Sequence, residues 1–427
     1  MKTLSNPPAQ SWGELIRRPQ LESEFLESVV RNTLNRVKLT GDHALRELTL
    51  QYDGANLNTL KVSEAEIRLA ISGLSQSLKN AIQVAASNIR KFHELQKREM
   101  VEIETMPGVK CWRKSVPIQR VGIYIPGGTA PLFSTVLMLG IPADLAGCKD
   151  VILCTPPNKD GSINSAILFA ASLSGINTIF KVGGAQAIAA MAYGTETIPS
   201  VHKVFGPGNQ YVTKAKQMIS QEGVAIDMPA GPSEVLIIVD ETADPTFVAA
   251  DLLSQAEHGT DSQVVLVSLS ESKVAEVQKE IDHQVALLPR KEIASQALQN
   301  SLAIYFDRKE SALRFANDYA PEHLIINTQD CDSMAEKIFN AGSVFLGPWS
   351  PEAIGDYASG TNHTLPTNGY AKVYSGVSLE SFTKTITYQK LTMVGLQNLG
   401  PSVEIMAEAE QLEGHRRAVS IRLNTLK

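Results

Sequence analysis

The sequence predicts an α/β protein with two α/β domains, each built on a parallel sheet, flanked by helical N-terminal and C-terminal segments. Two observations point there. Short β-rich runs, each followed by glycine and then a small-residue helix, recur from Val121 onward, as parallel α/β units require. A second series of such runs begins at Glu234, and 427 residues are enough for two or three domains with a large core.

The first ~120 residues read mainly as helices with charged faces. From Leu78 to Met100, the apolar positions Ile82, Ala85, Ile89 and Phe92 recur at helical spacing, and His93 on that helix is expected to be solvated. Strands are predicted at Val121–Ile125, Val151–Cys154, Thr178–Val182 and Lys203–Phe205, with Ala-rich and Leu-rich crossovers between them. Glu234–Val239 is the next strand, and Val264–Val267, Ala303–Tyr305 and Leu324–Ile326 continue the second region. Beyond Gly376 the composition turns helical again, with Val403 to Val419 reading as one amphipathic helix. No fixed-period repeat is apparent, although the two α/β regions could be related by duplication.

The best-punctuated element runs from Asp244 to Gly259. Asp244 suits the N-cap, Pro245 the first helical position, and Gly259 a left-handed closure. Phe247, Val248, Leu252, Leu253 and Ala256 make its apolar stripe, while Asp251, Gln255 and His258 fall on another face at i, i+4, i+7. Gln255 and His258 could hold one ion together, but two ligands are too few, so others must come from elsewhere in the chain.

Composition narrows the function classes. Hydrophobic residues at 43% and charged residues at 20% are ordinary for a globular protein, and a net charge of −6 argues against a general nucleic-acid binder. The start of the chain has no signal-peptide core and no later run resembles a membrane span, so cytoplasmic residence is expected. Cys111, Cys148, Cys154 and Cys331 contain no C-x-x-C pair, and Cys148 and Cys154 read as structural thiols.

Three glycine turns follow the strands: Pro126-Gly127-Gly128, Gly183-Gly184-Ala185-Gln186 and Gly206-Pro207-Gly208-Asn209. Such turns let a phosphate or ribose approach the backbone, although Tyr211 replaces the third glycine of a dinucleotide fingerprint and no acidic ribose partner is convincingly placed. Incomplete, Rossmann-like parallel sheets are expected. Asp356 lies in a polar glycine-punctuated stretch ending at His363, and His415 follows Glu410 by five residues on the tail. A Gln, His, Asp, His set would suit zinc or a similar divalent ion. Glu322 beside His323 offers a carboxylate and an imidazole for proton transfer at an element junction.

In order along the chain, Tyr124–Val136, Gly183–Ala189, Phe205–Asn209, Ile226–Glu234, Asp251–Gly259, Pro321–Leu324 and Ala358–His363 closely resemble the histidinol dehydrogenases. That resemblance implies NAD-dependent oxidation of L-histidinol through L-histidinaldehyde to L-histidine, in two hydride transfers, as the final step of histidine biosynthesis. It implies one zinc per subunit held by Gln255, His258, Asp356 and His415, NAD contacts at Tyr124, Gln186 and Asn209, and substrate contacts at Ser233, His323, His363 and Glu410. Zinc and its ligands would hold the amino group and imidazole of histidinol. His323 would accept the alcohol proton and Glu322 would activate water, with no cysteine required.

The resemblance also implies an intertwined homodimer, in which Glu410 and His415 complete the partner's site. The expected organisation is an N-terminal helical arm over 1–20, a main α/β domain over 21–123 and 236–377 carrying zinc and catalytic residues, an inserted Rossmann-like NAD-binding domain over 124–235, and a helical tail over 378–427. Three rivals are a zinc hydrolase with Glu322 as base, a non-catalytic nucleotide binder, and a relative acting on another alcohol. Retention of Ser233, Glu410 and His415 favours the imidazole amino alcohol over the last.

Overall fold

The computed structural model describes residues 1–18, 23–127, 131–229 and 231–426. The strands in chain order begin β1 (Lys2–Ser5), β2 (Glu102–Met106), β3 (Val109–Pro117), β4 (Arg120–Tyr124), β5 (Asp150–Thr155), β6 (Thr178–Lys181) and β7 (Lys203–Phe205). They continue as β8 (Ala225–Ile226), β9 (Glu234–Val239), β10 (Gln263–Ser268), β11 (Leu302–Tyr305), β12 (His323–Asn327), β13 (Ser343–Leu346) and β14 (Thr383–Leu391). One parallel sheet has the order β1-β11-β10-β9-β12-β13 and the other β6-β5-β4-β7-β8, while β14-β3-β2 form an antiparallel ribbon.

Apart from β1, the two parallel sheets are wound alike. In each, the first strand (β9 or β4) is central, the next two lie to one side and the last two to the other. This repeated order is what the duplication considered above would produce. Every residue of β9 and β10 is buried, which is why these strands read as continuous apolar runs rather than alternating ones. Helices cover both faces, and Phe205 of β7 stacks on Phe382, in the turn of 3-10 helix just before β14, with ring centroids 4.0 Å apart.

Several expectations are corrected. The N-terminal arm is not simply helical: Lys2–Ser5 pairs in parallel with β11, and among the arm's described residues only Trp12–Leu15 forms an α-helix. The helix expected to reach Met100 ends at Glu94, and His93 is fully buried rather than solvated, with Nδ1 at 2.8 Å from the Ile89 carbonyl. The 123/124 and 235/236 domain boundaries fall inside β4 and inside β9, so each would cut a strand. The composition after Gly376 conceals β14, and Val403 to Val419 is two helices, Met393–Ala409 and Glu413–Asn424, broken where Gln411 takes φ 58°. Gly128, Thr129 and Ala130 of the first glycine turn, Ala230 of the segment before β9, the 20/21 boundary of the arm and Lys427 lie outside the described residues.

Candidate active site

The helix Pro245–Ala256 starts as its sequence implies: Asp244 caps it, accepting from the Thr246 N–H at 2.8 Å. Its end differs, because Glu257 forms the C-cap in right-handed conformation and Gly259 does not. Val248, Leu252, Leu253 and Ala256 bury the apolar stripe, whereas Phe247 remains 39% exposed. The packing carries Gln255 inward to complete burial, with Nε2 at 2.9 Å from His323 Nδ1.

His323 opens β12 directly opposite Val235 of β9. Its Nδ1 lies 3.3 Å from the Glu234 carbonyl and 3.6 Å from Glu322 Oε2, and its Nε2 lies 3.2 Å from Asp356 Oδ1. Glu322 Oε2 accepts from the Glu234 N–H at 2.9 Å. Asp356 is not in a loop as expected but on the short helix Glu352–Tyr357, which gives its carboxylate a fixed approach to the ring. The Asp356 carbonyl meets His363 Nδ1 at 2.7 Å, and His363 Nε2 meets Thr135 Oγ1 at 2.9 Å. Both nitrogens of His363 are thus occupied within the protein. His258 stands at the solvent-exposed rim, its Nδ1 at 3.4 Å from Ser233 Oγ.

These contacts set the proton affinities. Burial pushes the Glu322 carboxyl up to about 8, with the His323 charge and the Glu234 N–H opposing. Burial alone would lower His323, but Glu322, Glu352 and Asp356 outweigh it and push the ring up to about 10. Burial would raise Asp356, yet the His323 hydrogen bond and charge hold it below the usual carboxylate range. His258 and His363 are both lowered by burial against the pull of Asp356. A positive charge placed near Asp356 would compete for the same carboxylate and loosen the proton on His323.

Among the described residues no group of three or more His, Cys, Asp or Glu side chains is arranged to hold a metal ion. Of the expected ligands, His258 and Asp356 are of those types here, and Gln255 Oε1 is buried without a hydrogen-bond partner in the same cluster. An amide oxygen, an imidazole and a carboxylate fit a borderline divalent ion and leave a tetrahedral sphere one ligand short. The cluster does not include Glu410 or His415, both exposed on a tail whose last helix packs chiefly on the helix before it.

The other expected contacts line a separate cavity of about 890 Å³, beside the switch point between β4 and β7. Tyr124, Gln186 and Asn209 all reach it. The Tyr124 hydroxyl accepts from the Gly184 N–H at 3.1 Å, and Asn209 Oδ1 caps the helix Gln210–Gln221 by accepting from Tyr211 and Val212 at 3.1 Å. Gly206 must be glycine, since at φ 120° a Cβ would lie 2.0 Å from the Tyr124 carbonyl oxygen. Thr135, on the helix leaving the first glycine turn, joins this sheet to the cluster through His363.

Three carboxylates escape a reading of the sequence. Glu234 supplies the backbone groups that hold Glu322 and His323. Glu352 is buried with Oε2 unpartnered and is pushed up to about 8 by burial, while Ser254 Oγ donates to its Oε1 at 3.4 Å. Asp53 ends the helix Ser23–Asp53 and lines the cavity with Oδ2 buried and unpartnered, so an acid is present there without the expected spacing. Only Pro351 before Glu352 marks one of them, as a helix-start signal.

Comparison with known proteins fits this arrangement. A family model described as histidinol dehydrogenase matches residues 16–423. The chain is 56% identical over 427 residues to histidinol dehydrogenase of Bacteroides thetaiotaomicron, covering 100% of both. It is 52% identical to the chloroplastic histidinol dehydrogenase of Arabidopsis thaliana, covering 99% of this chain and 91% of that protein. The crystal structure of histidinol dehydrogenase from Elizabethkingia anophelis superposes with a TM-score of 0.97 at 57% identity, covering 100% of this chain and 98% of that one. A match of this length in sequence and in fold makes the chain a member of the histidinol dehydrogenase family, and thus an oxidoreductase of histidine biosynthesis.

Proposed function

We propose that the chain oxidises L-histidinol through L-histidinaldehyde to L-histidine, in two successive NAD-dependent hydride transfers at one zinc-dependent site. The observation that carries this reading is His323 held between Gln255, Glu322 and Asp356, with Gln255 Oε1 buried and unpartnered. Gln255, His258 and Asp356 would hold zinc together with His415, and bound zinc would fix the amino group and imidazole of the substrate. NAD, in the cavity of Tyr124, Gln186 and Asn209, would be the hydride acceptor.

His323 takes the alcohol proton at Nε2 once Asp356 is engaged elsewhere. Glu322 then accepts a proton from the water that attacks the aldehyde, and its raised proton affinity suits a base working near neutrality. Ser233 beside His258, with His363 and Glu410, would contact substrate; for His363 this requires exchanging one of its two internal partners.

We also assign a homodimer in which Glu410 and His415 serve the partner's site. Supporting this, the tail exposes Met393, Ile405 and Met406 at 70%, 69% and 64%, an apolar face that a second copy would cover. A hollow of about 1310 Å³ along the β14-β3-β2 ribbon contains none of the candidate site residues. No described helix is long and apolar enough to cross a membrane, and the cysteines are free, which suits a cytoplasmic enzyme.

Purified, zinc-loaded protein should reduce NAD when given L-histidinol, and a chelator should abolish the signal until zinc is restored. No NADH formation from histidinol by zinc-loaded protein would sink this reading. Activity on an ester or amide without nicotinamide would favour the hydrolase instead.

A further inference from the structure

We infer that Arg18 is a positioning residue for Glu322, acting through Glu234, and so ties the N-terminal segment to the water-activating step. This rests on the role given above to Glu322. The Glu234 side chain is 1% exposed and accepts from Arg18 Nε at 2.6 Å, Arg18 Nη2 at 3.2 Å and the Asn368 N–H at 2.8 Å, with a weaker share of the Tyr319 hydroxyl, which lies 3.3 Å away and is nearer Gln263 Oε1 at 2.8 Å. Arg18 is in turn fixed by donating to the Ile16 and Tyr319 carbonyls, each at 2.8 Å, with its guanidinium 3.6 Å above the Tyr319 ring. A planar, two-pronged cation on an aromatic face has few other orientations open to it.

The main chain of Glu234 does a different job. It sits one residue before the point where Val235 pairs with His323, so its N–H meets the Glu322 side chain and its carbonyl meets His323 Nδ1. The clamp on the side chain therefore fixes the two backbone groups that orient the catalytic pair. With Oε2 held by that N–H, the other oxygen of Glu322 is the one offered to water. The ion pair is buried, and such pairs contribute more to geometry than to stability.

The two oxidations should separate the effect. In single turnovers of zinc-loaded protein, Arg18→Met should slow oxidation of L-histidinaldehyde about tenfold more than the first oxidation of L-histidinol, with each KM changed less than about twofold. Arg18→Lys should restore part of the aldehyde rate. Tyr319→Phe removes one donor but keeps the ion pair, and should shift the same ratio about threefold without loss of fold. If Arg18→Met does not fold, the Tyr319→Phe ratio decides.

An equal fall of both oxidations, tracking a lowered melting temperature, would reduce the clamp to a stabilising contact and overturn the inference. Glu322→Gln measured alongside separates the two levels. If it splits the two oxidations and the clamp variants do not, the inference alone fails. If it depresses both alike, the assignment of Glu322 fails and takes the inference with it.

Discussion

Glu322 and His323 are neighbours in the chain, yet each is set by groups far from it in sequence: Glu322 by the Glu234 N–H, His323 by Gln255 and Asp356. The free thiols belong to a different category. Burial pushes Cys148 up to about 11 and raises Cys154 further, so neither supplies a thiolate near neutrality. Cys148→Ala should leave NAD reduction from histidinol within about twofold of the parent, and a loss of a hundredfold or more would point to a thiohemiacetal route.

Asp53 gives a pH test at the same scale. Burial pushes its carboxyl up to about 6, so the folded chain binds this proton more tightly than the unfolded one does. Its protonated form stabilises the fold fully below the ordinary carboxylate value, and that contribution is lost as pH rises through about 6. Asp53→Asn should therefore raise the melting temperature by about 1–2 °C at neutral pH and not at all near pH 4. A gain that is independent of pH would contradict this.

Among elements, legibility followed local signals. The helix start at Asp244-Pro245 is readable because a cap and a proline act within one turn, and β9 is readable because it is apolar from Val235 to Val239. The ribbon was missed although signs were there: Pro107-Gly108 makes the β2–β3 turn with Gly108 at φ 83°, and Thr385, Ile386, Thr387 and Tyr388 are good strand formers. Its faces are largely exposed, so alternation against a core was absent. Gln255, His258, Glu322 and His323 stand out in the sequence by their side chains and come together in the fold, whereas Glu234 acts through backbone atoms that no side-chain pattern reports. The tail is the element whose proposed role reaches furthest beyond its own contacts. Mixing inactive His323→Ala and His415→Ala chains should restore activity to about a quarter of the parent if the two tails serve each other's sites. Verified heterodimers without activity would confine the site to one chain.

At the scale of the molecule, two sheets of the same winding are used at opposite ends. The glycine turns and cavity lie at the carboxyl ends of β4, β6 and β7, as parallel sheets usually bind ligands. Glu234 and His323 instead begin β9 and β12, so the proton-handling cluster occupies the amino ends of the other sheet. The repeated winding thus offers a candidate cofactor end and a candidate proton-handling end, joined at Thr135 and His363. The central claim is that this one cluster carries both oxidations. Counting NADH against L-histidine formed from limiting L-histidinol tests it directly. Two NADH per histidine, with no free aldehyde trapped by a carbonyl reagent, is the expected result; one NADH with aldehyde accumulating in solution would contradict it.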